Sequence, residues 1–276
     1  MVNRKPWIVE VEDVIPRYGN LPKDSQVFQY GIRRLRSDDC KKIIFVSEHA
    51  RNNALEELSS WGIPPEKSTV VYRAVECYEP LEKPTDYIQL LFAGNGFFRK
   101  GGYEVLKAFQ AIKNPDIRLV IISRLEVDWR IYPTDEEIAE AKKIIADDSR
   151  ITLLSDLPHH EVVDWMRRSH IYVSPTYADP FNNTVLEAMG CGLPVITSTA
   201  SALPEMVKHG QNGWLLDMNA LSREEIIDQL SQYLVQMIED QELRRKIGTN
   251  GFLLTKTKFF IKTRNERLTS IYSNSI

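Results

Sequence analysis

The sequence predicts an α/β protein with a doubly wound parallel sheet, for three reasons. Short apolar runs recur along the 276 residues, most are rich in β-branched residues, and helical stretches lie between them. Buried parallel strands have this appearance, because helices cover both faces of their sheet. In such a sheet, ligands bind beyond the carboxyl ends of the strands. Functional residues are therefore expected in the segments that directly follow the strands.

The first 75 residues contain three predicted strands and two predicted helices. β-Branched and aromatic residues favour the strands, and amphipathic patterns favour the helices. The strands are expected at 7–11, 42–47 and 69–72, and the helices at 26–35 and 49–60. A link rich in Glu and Pro, residues 76–86, follows this first part and indicates a domain boundary.

A second series of strands and helices begins after this link and extends to about residue 255. Its apolar runs are continuous rather than alternating, which is typical of strands that are buried on both faces. The strands are expected at 88–93, 119–123, 151–154, 171–174 and 194–197, with a short helix at 184–189. Residues 87–255 are therefore expected to form a Rossmann-like domain.

Composition excludes several functional classes. A net charge of −3 argues against a protein that binds nucleic acid through overall basicity. Three widely spaced cysteines without a Cys-x-x-Cys pair indicate a reducing cytoplasm rather than a disulfide scaffold or a zinc site. No apolar run approaches 18 residues, and the basic N-terminus lacks the apolar stretch of a signal peptide. A cytoplasmic location is expected.

The most informative segment follows the predicted strand 171–174. Asp179-Pro-Phe-Asn-Asn favours a turn, and a short helix comes directly after it. A helix N-terminus offers unpaired backbone N–H groups and a positive dipole end, which suit a phosphate. Asp179 before this terminus and Glu187 about one turn inside it could bind hydroxyl groups on either side of the anion. The candidate N–H donors are those of Asn183, Thr184 and Val185.

A second candidate segment follows the predicted strand 88–93. Its glycines allow the backbone to pass close to a diphosphate, and its basic residues supply positive charge. The candidate residues are Gly94, Asn95, Gly96, Arg99 and Lys100. A tight turn with a solvated Arg–Lys pair is the alternative interpretation of the same residues. For the segment around Asp179, the alternative is a surface turn that leads into a core helix.

Together the two segments resemble the glycosyl transferases group 1 family, whose retaining enzymes have the two-domain GT-B fold. The family has Glu, seven residues, then Glu-Ala-Met-Ala-x-Gly-x-Pro-Val. Here Glu187-Ala-Met-Gly-Cys-Gly-Leu-Pro-Val matches the second part of that pattern, and Asp179 rather than Glu is the first acid. Lys100-Gly101 matches the Lys-Gly of the family's diphosphate motif, and Asn95 replaces its arginine. Arg99 could compensate for that missing cation.

The resemblance implies the transfer of a sugar from a nucleotide-diphosphate sugar to a glycan or lipid-linked hydroxyl acceptor, with retained anomeric configuration. It assigns Lys100 to the leaving diphosphate, Glu187 to the ribose and Asp179 to the transferred sugar. It implies no cofactor and no metal ion, because protein cations and a helix dipole neutralise the diphosphate. It also implies no enzymic nucleophile, since the donor phosphate takes the acceptor proton on the same face.

The resemblance also implies an unequal pair of domains. Residues 87–255 resemble a complete donor-binding domain, and residues 1–75 resemble the last part of the acceptor-side domain. Residues 256–276 resemble the closing helix, expected at 257–272, that packs back on the N-terminal part. The alternative function is therefore the donor-binding half of a split, truncated or degenerate enzyme without independent activity. A partner chain would then supply the missing half.

The C-terminal stretch is basic and interleaved with apolar residues. Such a stretch could touch the anionic inner face of a membrane, or it could form an amphipathic helix that packs on the other domain. Its cations are Lys256, Lys258, Lys262, Arg264 and Arg267. The five histidines show no metal-binding pattern, and His170, just before a strand, is expected to be structural.

Overall fold

The computed structural model describes residues 5–13, 21–128 and 131–275, which form two compact units. Unit 1 combines Met1–Ala74 with Ile261–Ile276, and unit 2 is the continuous segment Val75–Phe260. Each unit contains its own parallel sheet. The predicted α/β class with parallel strands is confirmed.

Unit 1 contains a three-stranded parallel sheet in the order β1-β2-β3. The predicted second strand ends two residues early, at Phe45, because the Ser47 side chain accepts the Ala50 N–H at 3.0 Å and starts a helix. The strands are β1 (Trp7–Val11), β2 (Cys40–Phe45) and β3 (Ser68–Val70), and the helices before and after β2 are α1 (Gln26–Arg36) and α2 (Glu48–Ser60). Apolar faces of both helices and of the sheet form the core of unit 1.

The last helix of the chain belongs to unit 1. Arg264 Nη2 lies 2.6 Å from the carboxylate of Glu10, and Arg267 Nε donates to the Val70 carbonyl oxygen at 3.4 Å. This helix, α10, spans Ile261–Ser273. Two of the basic residues singled out in the sequence therefore contact the β1–β3 side of their own unit.

The closing helix predicted at 257–272 is wrong in its start, because the chain breaks at Phe259 and Phe260. The Phe259 side chain is fully buried, and its carbonyl oxygen accepts the Val75 N–H at 2.9 Å. Phe260 forms a β-bridge with the same residue. Residues 257 and 258 instead end the preceding helix, α9 (Gln241–Lys258).

Unit 2 contains a six-stranded parallel sheet in the order β6-β5-β4-β7-β8-β9. The strands are β4 (Ile88–Ala93), β5 (Ile117–Ile122), β6 (Ile151–Leu154), β7 (Ile171–Val173), β8 (Val195–Ser198) and β9 (Trp214–Leu216). The strand order reverses between β4 and β7, which confirms the doubly wound topology. At such a reversal the loops after the two strands diverge to opposite faces and leave a crevice.

Helices cover both faces of this sheet. They are α3 (Gly102–Ala111), α4 (Asp135–Asp147), α5 (His159–Arg168), α6 (Asn183–Gly190), α7 (Leu203–Met206), α8 (Arg223–Glu239) and α9. Buried apolar residues of α3, α4, α8 and α9 form one core with strands β4, β5 and β7. Hydroxyl N-caps with a Glu three residues later begin both α4 and α8, as capping boxes. The predicted helix 184–189 is α6, extended by one residue at each end.

Within the described ranges, no helix has the length and apolar character to cross a bilayer. Cys40, Cys77 and Cys191 are free thiols. The part of the chain that the structure describes contains no group of three His, Cys, Asp or Glu side chains arranged to hold a metal ion.

Candidate functional site

The candidate site lies at the carboxyl ends of β4 and β7, where the strand order reverses. The loop after β4 contains two glycines with positive φ, 142° at Gly94 and 77° at Gly96. A Cβ on Gly94 would lie 2.9 Å from Cδ of Lys100, because the lysine side chain folds back across this position. The glycine therefore gives Lys100 room to reach the site.

Lys100 and Asp179, the two residues predicted to be catalytic, form an ion pair. Lys100 Nζ lies 3.2 Å from Asp179 Oδ2, and the two side chains are 8% and 13% exposed. The residues are far apart in sequence, and the parallel pairing of β4 with β7 brings the segments after these strands together. The site thus combines the predicted phosphate ligand with the predicted sugar ligand.

Arg99 points into the same cluster rather than into solvent. Its Nε donates to Asp128 Oδ2 at 2.8 Å, and its Nη1 donates to the Ala178 carbonyl oxygen at 2.6 Å. Arg99 Nη1 also lies 3.7 Å from Asp179 Oδ2. Two cations and two carboxylates therefore balance each other formally. Asn95, the residue in place of the family arginine, is exposed.

Asp128 was not among the predicted site residues. It lies in the loop after β5, and its carboxylate accepts from Arg99. No local motif marks this aspartate. A signal was nonetheless available, because β5 pairs with β4 and the loops after neighbouring parallel strands lie at one edge of the sheet.

The N-terminus of α6 is held against β4 and β7 by a chain of hydrogen bonds. The Tyr172 hydroxyl lies 2.8 Å from the Ala93 carbonyl oxygen and from Thr184 Oγ1, and Thr184 Oγ1 donates to Asn182 Oδ1 at 2.8 Å. Burial raises the pKa of Tyr172, so its hydroxyl stays protonated. This chain fixes the direction in which the first N–H groups of α6 point.

Asn182 is the N-cap of α6, and it uses one of the three predicted N–H donors. Its Oδ1 accepts the Val185 N–H at 3.3 Å. Asn183 and Thr184 are the first two residues of the helix, so their N–H groups have no partner inside it. The N–H groups that α6 offers to an anion are thus those of Asn183 and Thr184.

Glu187 lies one turn inside α6, and its side chain is 18% exposed. Its Oε1 lies 3.0 Å from Nε2 of His159, whose side chain is 68% exposed. The sequence pattern assigned no role to His159. In the structure His159 is the first residue of α5, and the packing of α5 on α6 brings it to Glu187.

The buried carboxyl group of Glu104, on α3, helps to position the loop that carries Asp179. The Tyr177 hydroxyl donates to Glu104 Oε1 at 2.8 Å, and its N–H donates to the Arg99 carbonyl oxygen at 2.9 Å. Arg223 Nε lies 3.1 Å from Glu104 Oε1. Burial raises the pKa of Glu104, which the nearby Arg223 charge partly opposes. The loop is therefore tied to both α3 and the glycine-containing turn.

Comparison with known proteins identifies the family. The family model described as "Glycosyl transferases group 1" matches residues 78–253, which include all the predicted site residues. The chain belongs to the glycosyl transferases group 1 family. This family is one of transferases, so the resemblance based on the two motifs is confirmed.

Curated relatives of the chain are also glycosyltransferases. An uncharacterized glycosyltransferase of Methanocaldococcus jannaschii is 30% identical over 210 residues, which cover 76% of this chain and 53% of the relative. The capsular polysaccharide biosynthesis glycosyltransferase CapM of Staphylococcus aureus is 25% identical over 243 residues, covering 86% of this chain and 60% of CapM. The chain thus spans little more than half the length of these relatives.

Solved structures agree with the fold. The C-terminal domain of a glycosyl transferase group 1 family protein (LpcC) from Francisella tularensis is 29% identical with a TM-score of 0.53 and covers 65% of this chain and 89% of that one. Anabaena HepE, solved with UDP and glucose, is 18% identical with a TM-score of 0.71 and covers 98% of this chain and 72% of HepE. The likeness to HepE extends the similarity of fold to both units.

Proposed function

We propose that the chain binds a nucleotide-diphosphate sugar and transfers the sugar to a hydroxyl acceptor, with retention of the anomeric configuration. The observation that carries this proposal is the ion pair of Lys100 and Asp179 beside the N-terminus of α6. The complexes of Anabaena HepE with UDP and with UDP-glucose support a nucleotide-sugar donor. The acceptor class that this relative suggests is a glycan, since CapM is named for capsular polysaccharide biosynthesis.

In this proposal Lys100 changes partner when the donor binds. Its ammonium group moves from the Asp179 carboxylate to the diphosphate. The N–H groups of Asn183 and Thr184 bind the same diphosphate. Preorganised donors of this kind stabilise negative charge as it develops on the leaving group. The released Asp179 carboxylate then accepts hydrogen bonds from hydroxyls of the transferred sugar. One contact in the free protein thereby prepares two contacts with the donor.

Glu187 is assigned to the ribose hydroxyls. Its contact with His159 orients the carboxylate before the nucleotide arrives. The acceptor oxygen forms a bond to the anomeric carbon while the bond from that carbon to the diphosphate breaks. The acceptor proton passes to the departing phosphate oxygen on the same face, so no protein nucleophile is required. Lys100 and the terminus of α6 neutralise the diphosphate, so the proposal includes no divalent cation.

Calorimetry with UDP in the presence of a chelator tests the phosphate assignment. Lys100→Ala is expected to weaken UDP binding by about 1.5–3 kcal/mol, the scale of a hydrogen bond to a charged group. Lys142→Ala is the matched control, because Lys142 is exposed on α4. A requirement for Mg²⁺, or equal affinities of the Lys100 and Lys142 variants, would show that the diphosphate binds elsewhere.

A second candidate function is donor binding without transfer. The formal charge balance of the cluster favours it, because Asp128 and Asp179 engage both Arg99 and Lys100. A leaving diphosphate would then meet less net positive charge than two free cations supply. In this case a partner chain could complete the enzyme.

A turnover assay distinguishes the two candidates. UDP-sugars and a panel of glycan and lipid-linked acceptors are incubated with the purified chain, and the released UDP is measured. The first function predicts acceptor-dependent release and a product with the anomeric configuration of the donor. Tight UDP binding without any acceptor-dependent release supports the second candidate.

A further inference from the structure

A cavity of about 660 Å³ lies at the opposite edge of the unit 2 sheet from the candidate site. It is lined by Ile88, the first residue of β4, and by His170 and Pro194, which directly precede β7 and β8. The cavity is therefore at the amino ends of three neighbouring strands. The length of β4 separates it from the glycine-containing loop by about 17 Å, at a rise of roughly 3.3 Å per residue.

The wall of this cavity has an excess of positive charge. Lys83, Arg244 and Arg245 contribute to it, and Glu79 is the one carboxylate among the described residues that line it. Lys83 is half-buried and forms no ion pair within the described part of the chain. Burial lowers the pKa of Lys83, and the Arg244 charge lowers it further. An anion in the cavity would relieve this unfavourable arrangement.

One cation of this wall, Arg244, occupies a fixed position before any ligand binds. Arg244 is nine-tenths buried, and its Nη1 donates to the carbonyl oxygens of Met237 and Ile238 at 2.6 and 2.7 Å. His170 Nδ1 accepts the Gln89 N–H at 3.0 Å. This contact anchors the residue before β7 to the second residue of β4, at the wall of the cavity.

The remaining wall is largely apolar. Phe252 on α9, Pro194 and Ile88 line the cavity beside the charged groups. Pockets of 300–1,000 Å³ with mostly apolar walls and a few convergent polar groups are typical of small-molecule sites. A ligand that fits both parts of the wall has an anionic end and an apolar body.

We propose that this cavity binds a small phosphorylated molecule with an aromatic or other apolar body, at a site separate from the donor site. Its phosphate contacts Lys83 and Arg245, and its body packs on Phe252. The ligand also touches Cys191 and Gly192, which follow the last turn of α6. The N-terminus of this same helix is at the candidate donor site. The proposal does not depend on the proposed function.

Phenyl phosphate is the probe, and the full chain carrying Lys100→Ala is the protein, so that the donor site contributes least. Calorimetry is expected to show one site. Adding Lys83→Gln or Arg245→Gln is expected to weaken binding at least tenfold. Lys246→Gln is the matched control, since Lys246 is an exposed neighbour on α9 that does not line the cavity.

Two further measurements test the role of the phosphate and the location of the ligand. Phenol, which has the same ring without the phosphate, is expected to bind far more weakly than phenyl phosphate. Thr249→Trp is expected to weaken binding, because an indole at this exposed lining position takes up part of the cavity. Thermal unfolding of each variant shows that it is folded. Absent phenyl phosphate binding at millimolar concentrations, or equal binding by the Lys83 and Lys246 variants, overturns the proposal.

Discussion

At the scale of single residues, Asp179 and Glu187 have different side-chain partners, which indicates different roles. Asp179 lies in the loop before α6, and Glu187 lies within this helix. Asp179 pairs with lysine and is close to Arg99, whereas Glu187 pairs with a largely exposed histidine. An acid held by fixed cations competes with the diphosphate for those cations. Glu187 instead has a largely exposed partner, and no Lys or Arg side chain pairs with it within the described residues. Their substitutions are therefore expected to affect different parts of the donor.

Glu187→Gln is expected to weaken UDP binding by about 1–3 kcal/mol, since a hydrogen bond from ribose to a charged acceptor becomes one to a neutral acceptor. Inorganic diphosphate, which has no ribose, is expected to bind within threefold of its original affinity. Calorimetry with both ligands provides the comparison. Glu161→Gln, at an exposed position of α5, is the control. Equal losses for the two ligands would show that Glu187 supports the loop rather than the ribose.

His170 gives the stability of the protein a pH dependence of known sign. Burial lowers its pKa from 6.5 to about 4, and the nearby Lys83 and Arg244 charges act in the same direction. The folded state therefore binds fewer protons than the unfolded state between these values. The stabilising contribution is present above pH 6.5 and is lost as the pH falls towards 4.

The test compares the free energies of unfolding of the original chain and of the His170→Asn variant. The value for the original chain minus the value for the variant is expected to decrease by about 2 kcal/mol from pH 7 to pH 5. Urea unfolding of both proteins at the two pH values measures this difference. The comparison cancels the titration of carboxylates that both proteins share. His160→Asn controls for loss of an exposed histidine. A difference that is constant with pH would mean that His170 is not held neutral.

At the scale of elements, the turn from β4 into α3 is the most constrained connection of the site. Gly101 is the N-cap of α3 and has a φ of 76°. A Cβ there would lie against the carbonyl oxygen of Pro175, closer than real Cβ atoms approach. This glycine allows the backbones after β4 and β7 to touch, and that contact brings Lys100 to Asp179.

Gly101→Ala is expected to destabilise the protein more than Gly210→Ala. Both glycines have a φ near 75°, but a Cβ on Gly210 meets nothing within 4 Å. Positive φ costs a residue with a Cβ about 1–3 kcal/mol at either position. The clash with Pro175 adds about 1–3 kcal/mol at Gly101 alone. Denaturant unfolding measures both values, and equal losses would exclude the close contact.

Most elements could be predicted because their signals are local. β4 and β6 were predicted with correct bounds, since each is a short apolar run followed by turn residues. The break between α9 and α10 could not be predicted, because it depends on the bridge from Phe260 to Val75. Nothing in the helical pattern around residue 259 reports a partner almost 190 positions earlier.

For the candidate site too, residues in local motifs could be predicted, and residues that join it through tertiary packing could not. Lys100, Asp179 and Glu187 belong to continuous motifs, whereas Asp128 and His159 join the site through packing alone. The Val185 N–H was predicted as an anion ligand, and its use by the Asn182 cap depends on the direction of one side chain. Side-chain directions of this kind follow from tertiary structure rather than from residue spacing.

At the scale of the whole molecule, unit 2 contains every residue of the candidate site. It has its own apolar core, and its first and last residues, Val75 and Phe260, are bridged to each other. A compact segment with paired ends and a closed core has the properties of an independent folding domain. The solved C-terminal domain of the Francisella protein is a related segment studied by itself.

Residues 75–260, expressed alone, are expected to unfold cooperatively and to bind UDP within threefold of the affinity of the full chain, a difference of about 0.7 kcal/mol. Circular dichroism during thermal unfolding and calorimetry measure the two properties. The same fragment with Lys100→Ala is the control for specific binding. A fragment that folds but binds more than tenfold more weakly would show that residues outside 75–260 contribute to the nucleotide site.

The position of unit 2 between the two segments of unit 1 also determines the order in which the units are completed during synthesis. Unit 1 is interrupted between Ala74 and Ile261, and α10 supplies the Arg264 contact to Glu10. The ribosome therefore completes the whole of unit 2 before it makes the last helix of unit 1. Since domains generally fold as units during translation, the nucleotide-binding segment is expected to be folded while the earlier segment still awaits its final helix. A nascent chain stalled just after residue 260 emerges would then resist protease within unit 2 and be cleaved within residues 21–74.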